Sequence, residues 1–129
     1  MHHRRALILS LASLLGTAPA AAHHSFSAIF DSAKPVTVTG TVTRIDWMNP
    51  HTWIYLDVKK DNGSVEAWSF EMGSPNRLMR YGWNQDSLPT GTTVTIAGSQ
   101  ARDGSMKAAV DTVTLPDGKR LFGAQDTSN

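Results

Sequence analysis

The chain has 129 residues, no cysteine and a formal net charge of +1 with histidine neutral. Without cysteine there is no disulfide framework and no thiolate chemistry. A nearly neutral chain without a basic run is a poor nucleic-acid binder, and this length suits one domain with a modest core.

The N-terminal part differs from the rest. Met1 to Arg5 is basic, Ala6 to Leu15 is apolar apart from Ser10 and Ser13, and Gly16 to Ala22 is small and proline-containing. That order is the signature of a cleaved secretory signal peptide, expected over residues 1–22. An uncleaved anchor is the alternative, but the apolar run is shorter than the about 20 residues a bilayer span needs. The processed protein is expected to be periplasmic or secreted, with no membrane span. Losing Arg4 and Arg5 leaves 10 basic against 11 acidic residues, a net charge of −1.

Residues 23–34 are expected as an N-terminal arm, in which Phe26 to Ser32 forms either a short turn of helix or an arm packing on the barrel. Lys34-Pro35 disfavours helix and opens the first strand. Val36, Val38 and Val42 alternate on one face, whereas Ile45 and Trp47 have the other parity. A bulge near Thr43-Arg44 would return them to the core side, and Gly40 would let the strand coil sharply. Asn49-Pro50 marks a turn. The second strand, Thr52 to Val58, sets Ile54, Leu56 and Val58 against Trp53, Tyr55 and Asp57. Asp61-Asn62-Gly63 is a hairpin turn, and the third strand, Val65 to Met72, aligns Trp68, Phe70 and Met72.

Ser74-Pro75 reads as the N-cap and first residue of a short helix. Leu78, Met79 and Tyr81 are its expected apolar side and Gly82 its end. Leu88 to Gly91 is a turn into the fourth strand, Thr92 to Gly98, with Val94 and Ile96 inward. Arg102-Asp103-Gly104 is another turn, and the fifth strand, Ala109 to Leu115, carries Val113 and Leu115 on one face. Asp117-Gly118 leads into a final short strand, Lys119 to Phe122. The tail, residues 123–129, is polar and expected to fray.

The expected fold is mainly β: a small five- to six-stranded OB-like barrel over residues 35–122, with one short helix between strands three and four. Closure would leave no long exposed sheet edge. A plain meander or an open sandwich has the same strand count.

Three runs together carry a resemblance. They are His23-His-Ser-Phe-Ser-Ala-Ile-Phe-Asp31, Lys34-Pro-Val-Thr-Val-Thr-Gly-Thr-Val-Thr-Arg44 and Trp47-Met-Asn-Pro-His-Thr-Trp-Ile-Tyr-Leu-Asp57, continued by Ser74 to Leu78, Gly82-Trp83 and Leu115 to Lys119. The chain resembles a family of short exported bacterial proteins classed as a domain of unknown function. The resemblance covers essentially the whole processed chain. It implies a periplasmic or secreted location and supplies no activity. At the level of fold alone, the chain is also similar to periplasmic OB-fold proteins that bind small ligands or help in stress tolerance.

The residues that could carry chemistry begin at the expected cut. After residue 22 the chain keeps three histidines, His23, His24 and His51. Cleavage after Ala22 makes His23 the first residue, so its amine and imidazole can chelate one metal, a histidine brace. Cleavage after Ala20 or Ala21 places a histidine third, where amine, two amide nitrogens and imidazole form a square-planar set. Tetragonal nitrogen ligation suits Cu(II), which stands highest in the affinity order. His51, in the loop between the first two strands, is the candidate third nitrogen ligand. Asp31, Asp46 and Asp57 are candidate carboxylates behind it. A terminal histidine that merely opens the chain, and a His51 that only hydrogen-bonds its turn, are the plain alternatives.

The aromatic residues offer a second surface. Trp47, Asn49, Trp53 and Tyr55 form a candidate face for stacking a small ligand, a glycan or an envelope protein. Trp68 belongs to the core by parity. Arg44, Arg77 and Arg80 could answer an anion. There is no Gly-x-Ser-x-Gly, phosphate-binding loop, His-Glu-x-x-His or cysteine nucleophile. Nothing in the sequence places Glu66 and Glu71 as a catalytic pair. The reading favoured here is therefore a non-enzymatic binding module with Cu(II) on His23, His24 and His51. A metal-free module using the aromatic face and an oxidative copper enzyme are its rivals.

Overall fold

In a computed structural model, the structure describes residues 26–126. The expected signal peptide, His23, His24 and residues 127–129 lie outside them. The described chain is mainly β. A single helical turn, α1 (Phe26–Ile29), leads into β1 (Phe30–Asp46), β2 (Trp53–Lys59) and β3 (Val65–Glu71). Then follow α2 (Pro75–Arg80), β4 (Thr93–Ala101), β5 (Lys107–Thr114) and β6 (Arg120–Phe122).

The strands run β3-β2-β1-β4-β5-β6 in one sheet, all antiparallel neighbours. β3 also pairs with β5 in parallel, Ser69 with Lys107 and Glu71 with Ala109. That pairing joins the two ends of the β3-β2-β1-β4-β5 ladder, so each of these strands is hydrogen-bonded on both sides.

Alternation sets the two faces. Val42, Ile54, Leu56, Phe70, Ile96, Ala108 and Val113 form the main core. The opposite face carries a smaller cluster, Phe30, Ala101 and Ala109, with Phe26 and Ile29 packed against it. Ala108 and Ala109 belong to different clusters because successive strand residues point to opposite faces.

The bulge at Thr43-Arg44 is present. Val42 faces Leu56 and Arg44 faces Tyr55, so β1 spends an extra residue there and Ile45 returns opposite Ile54. Gly40 sits where a Cβ would meet the Asp57 carbonyl oxygen at 2.7 Å. The β1 start expected at Val36 moves to Phe30, which pairs with Ala101. The arm boundary drawn at residue 34 therefore falls inside β1. Pro35 is the first residue to pair, with Ser99, after the register shift that follows Phe30, an irregularity of the kind at which strands accept proline.

Helix α2 begins as expected, with the Ser74 hydroxyl accepting from the Arg77 amide at 3.4 Å. Its apolar side is narrower than expected. Pro75 and Leu78 are buried, but Met79 and Tyr81 are half exposed. Six residues make fewer than two turns, and consecutive positions 78 and 79 lie about 100° apart around the axis, so the stripe that buries Pro75 and Leu78 leaves Met79 at its edge. The missing apolar area comes from Trp83 and Leu88 in the following loop, both buried in the main core. Trp83 Nε1 donates to the Phe122 carbonyl at 2.8 Å.

The polar end expected to fray makes specific contacts. Gly73 N donates to Gly123 O at 2.8 Å, Gln125 Nε2 donates to Glu71 O, and Arg77 pairs with Asp126 at 3.5 Å.

One core hydroxyl is unsatisfied. Thr52 is fully buried, and its Oγ1 has no hydrogen-bond partner among the described residues. Leaving such a group unpaired costs about 1–3 kcal/mol. Thr52→Val is expected to raise stability by about 1 kcal/mol, read as a higher urea midpoint at unchanged m-value. A lower midpoint would mean that the hydroxyl is satisfied in solution.

Candidate functional site

His51 lies in the loop between β1 and β2, beyond the last strand pair. Trp53 faces Glu71 in the β2–β3 register, and the ladder continues through Thr52 N to Gly73 O and Met72 N to Thr52 O. His51 thus falls diagonally across from Glu71 on the same face, the separation at which long cross-strand side chains meet. His51 Nδ1 donates to Glu71 Oε1 at 2.7 Å. The imidazole is 44% exposed and the Glu71 side chain only 9%.

Glu71 is held from several sides. Its backbone oxygen accepts from Gln125. Ala109, its register partner on β5, lies under Phe30, Phe26 and Ile29. Lys107, two residues back on the same face, places Nζ 5.8 Å from the Trp53 ring centroid. Burial pushes the Glu71 carboxyl above the usual glutamate range, against the pull of His51 and Lys107. A carboxyl raised on folding binds its proton more tightly in the native state. Stability should therefore fall as pH rises from the ordinary glutamate range through the raised native value, then level off. A pH series of thermal midpoints is expected to contain that descending component, and Glu71→Gln to remove it.

The other expected site residues disperse. Trp53 and Tyr55 lie on the His51 face and are half-buried. The Arg44 guanidinium covers the Tyr55 ring at 3.9 Å and also pairs with Asp46 at 3.0 Å. Beside them an open groove of about 200 Å³ is lined by Thr43, Arg44, Tyr55, Asp57, Ala67 and Ser69, among others. Trp47 packs against the main core instead, and Asn49 is exposed. Asp31 pairs with Arg102 and Asp46 with Arg44, so neither serves His51. Glu66 is taken by Trp68 Nε1 at 3.0 Å and Lys60 at 3.5 Å.

Glu71 is the functional candidate that sequence reading missed. The signal was available in the hairpin. A turn at Asp61-Asn62-Gly63 that pairs Lys59 with Val65 also pairs Trp53 with Glu71. It thereby sets His51 beside that carboxylate. Among the described residues, no group of three or more His, Cys, Asp or Glu side chains converges. Within them, no helix is long and apolar enough to cross a membrane.

The model of a family of unknown function, DUF6152, matches residues 11–110. The chain belongs to this family. The DUF6152 match takes in His23, His24, His51, Glu71 and Lys107, and so spans both halves of the candidate site. No curated protein matches the chain.

Proposed function

We propose that this DUF6152 chain is an exported, non-enzymatic binding module of the periplasm. In this reading it holds Cu(II) through its processed N-terminal amine, His23, His24 and His51, on an OB-like barrel. The joined β3–β5 ladder and α2 between β3 and β4 support the barrel.

One observation carries the metal reading: the 2.7 Å bond from His51 Nδ1 to the nearly buried Glu71 carboxylate. A carboxylate behind one ring nitrogen fixes the tautomer and makes the other nitrogen a better ligand, the usual support of a metal-binding histidine. The position of the arm adds to it. Phe26 packs in the cluster over Ala109, the neighbour of Glu71. His24 precedes Phe26 by two residues, a reach of about 7 Å, and adjacent strands are about 4.8 Å apart.

The test is a Cu(II) titration of protein processed in the periplasm, its N-terminus verified by mass spectrometry. Two variants accompany it, one with an extra glycine before the native first residue and one with His51→Ala. Tight one-to-one binding with a nitrogen-rich tetragonal EPR spectrum, weakened by both changes, is expected. Affinity equal to that of a peptide copying the terminus, and indifferent to His51→Ala, would sink the reading. The groove lined by Arg44 and Tyr55 favours a second reading, a metal-free module that takes a small ligand, a glycan or an envelope protein on its aromatic surface.

A further inference from the structure

A second cavity, of about 420 Å³, opens beside α2 and uses none of the residues of the His51 face. Ser74, Asn76, Arg77, Arg80 and Tyr81 line it. All five carry polar groups, and none is acidic. Arg77 and Arg80 are three apart, so their side chains rise from neighbouring positions on one helical surface. Arg80 has no acidic partner among the described residues. Arg77 has one, Asp126, at 3.5 Å and 61% exposed. The Tyr81 ring is half exposed at the same cavity.

We infer that this cavity binds a small organic phosphomonoester, and that Asp126 holds Arg77 when the ligand is absent. Charge selects the class. Two guanidinium groups face one space, and among the described residues the one carboxylate paired with either of them is that of Asp126. A phosphomonoester is close to dianionic at neutral pH, so it can replace Asp126 on Arg77 and engage Arg80 as well. Guanidinium forks match phosphate oxygens with paired hydrogen bonds. Volume selects the rest, since about 420 Å³ falls in the range of small-molecule sites and leaves room for an organic part against Tyr81.

The mechanism makes two variants move in opposite directions. Arg80→Gln removes a charged donor and should weaken binding at least about tenfold. Asp126→Asn removes the internal competitor and should tighten it about two- to fivefold, the scale of an exposed ion pair. The probe is α-D-glucose 1-phosphate, titrated into the processed ¹⁵N-labelled protein against glucose and sodium chloride at matched ionic strength. Saturable amide shifts confined to residues 74–81 and the Asp126 segment, with both variants behaving as stated, are expected. The dispersed spectra of the variants verify that they are folded. A parallel sedimentation with phosphatidic acid vesicles, against phosphatidylcholine alone, separates the sources of the ligand. Binding to both probes points to a lipid headgroup, and to the sugar phosphate alone, a soluble compound. Shifts that follow ionic strength, or that both variants leave unchanged, overturn the site.

Discussion

Glu71→Gln is expected to lower the Cu(II) affinity of the processed protein by about ten- to a hundredfold, the usual effect of removing the group behind a metal-binding histidine. The side chain keeps its size, so Trp53 and Gln125 keep their neighbour. What changes is the acceptor. An ionised carboxylate takes the His51 Nδ1–H in a charge-assisted bond and leaves Nε2 as the ring nitrogen with a free lone pair. An amide either accepts more weakly or turns its NH₂ toward the ring and selects the wrong tautomer. His51→Ala should go further and also change the EPR spectrum, because a nitrogen donor is lost. With Glu71→Gln the spectrum should keep its nitrogen count while affinity falls. The fold should not suffer, since Glu71 sits where burial disfavours its charge. Equal affinity for wild type and Glu71→Gln, with His51→Ala still impaired, would show that the carboxylate does not orient the imidazole.

Gly98→Ala should be strongly destabilising. Gly98 lies on β4 at the register shift between Ala97 and Gly98, opposite Val110. A Cβ there would overlap the Ala109 carbonyl oxygen and stand 3.4 Å from the Val110 Cα. Both are backbone atoms of β5, so relief requires the β4–β5 ladder to open. A cost of about 3 kcal/mol is expected, at the upper end for forced overpacking. Gly63 offers the control. Its φ of 83° strains any L residue, but a Cβ there meets nothing within 4 Å. Gly63→Ala should cost about 1 kcal/mol from the left-handed conformation alone. Urea denaturation of the two variants separates a steric cost from a conformational one. Equal losses would mean that β4 and β5 are less closely apposed than the register implies.

The strands and their inward faces were legible because alternation and turn chemistry are local. Val42, Ile54, Phe70 and Val113 could be assigned from parity alone, and the Thr43 bulge from the change of parity at Ile45. Trp83 and Leu88 could not be read that way. They enter the core from an aperiodic loop whose path depends on where β3 and β4 come to lie. Phe30 had no visible partner, because Ala101 is far away in sequence. The His51–Glu71 contact was half legible. The histidine drew attention as a lone imidazole in a loop, while the carboxylate needed the hairpin register to bring it across the sheet.

The β3–β5 pairing also bears on how the chain reaches its native state. Ser69 and Lys107 are separated by α2 and the whole of β4, so their ladder cannot form until those intervening segments are arranged. Joining distant segments costs loop entropy before any contact returns it. Topologies dominated by such pairings fold in about milliseconds to seconds, not microseconds. For a chain proposed to cross a membrane before it folds, that delay is an asset. On the proposed export route it would keep the newly made polypeptide threadable.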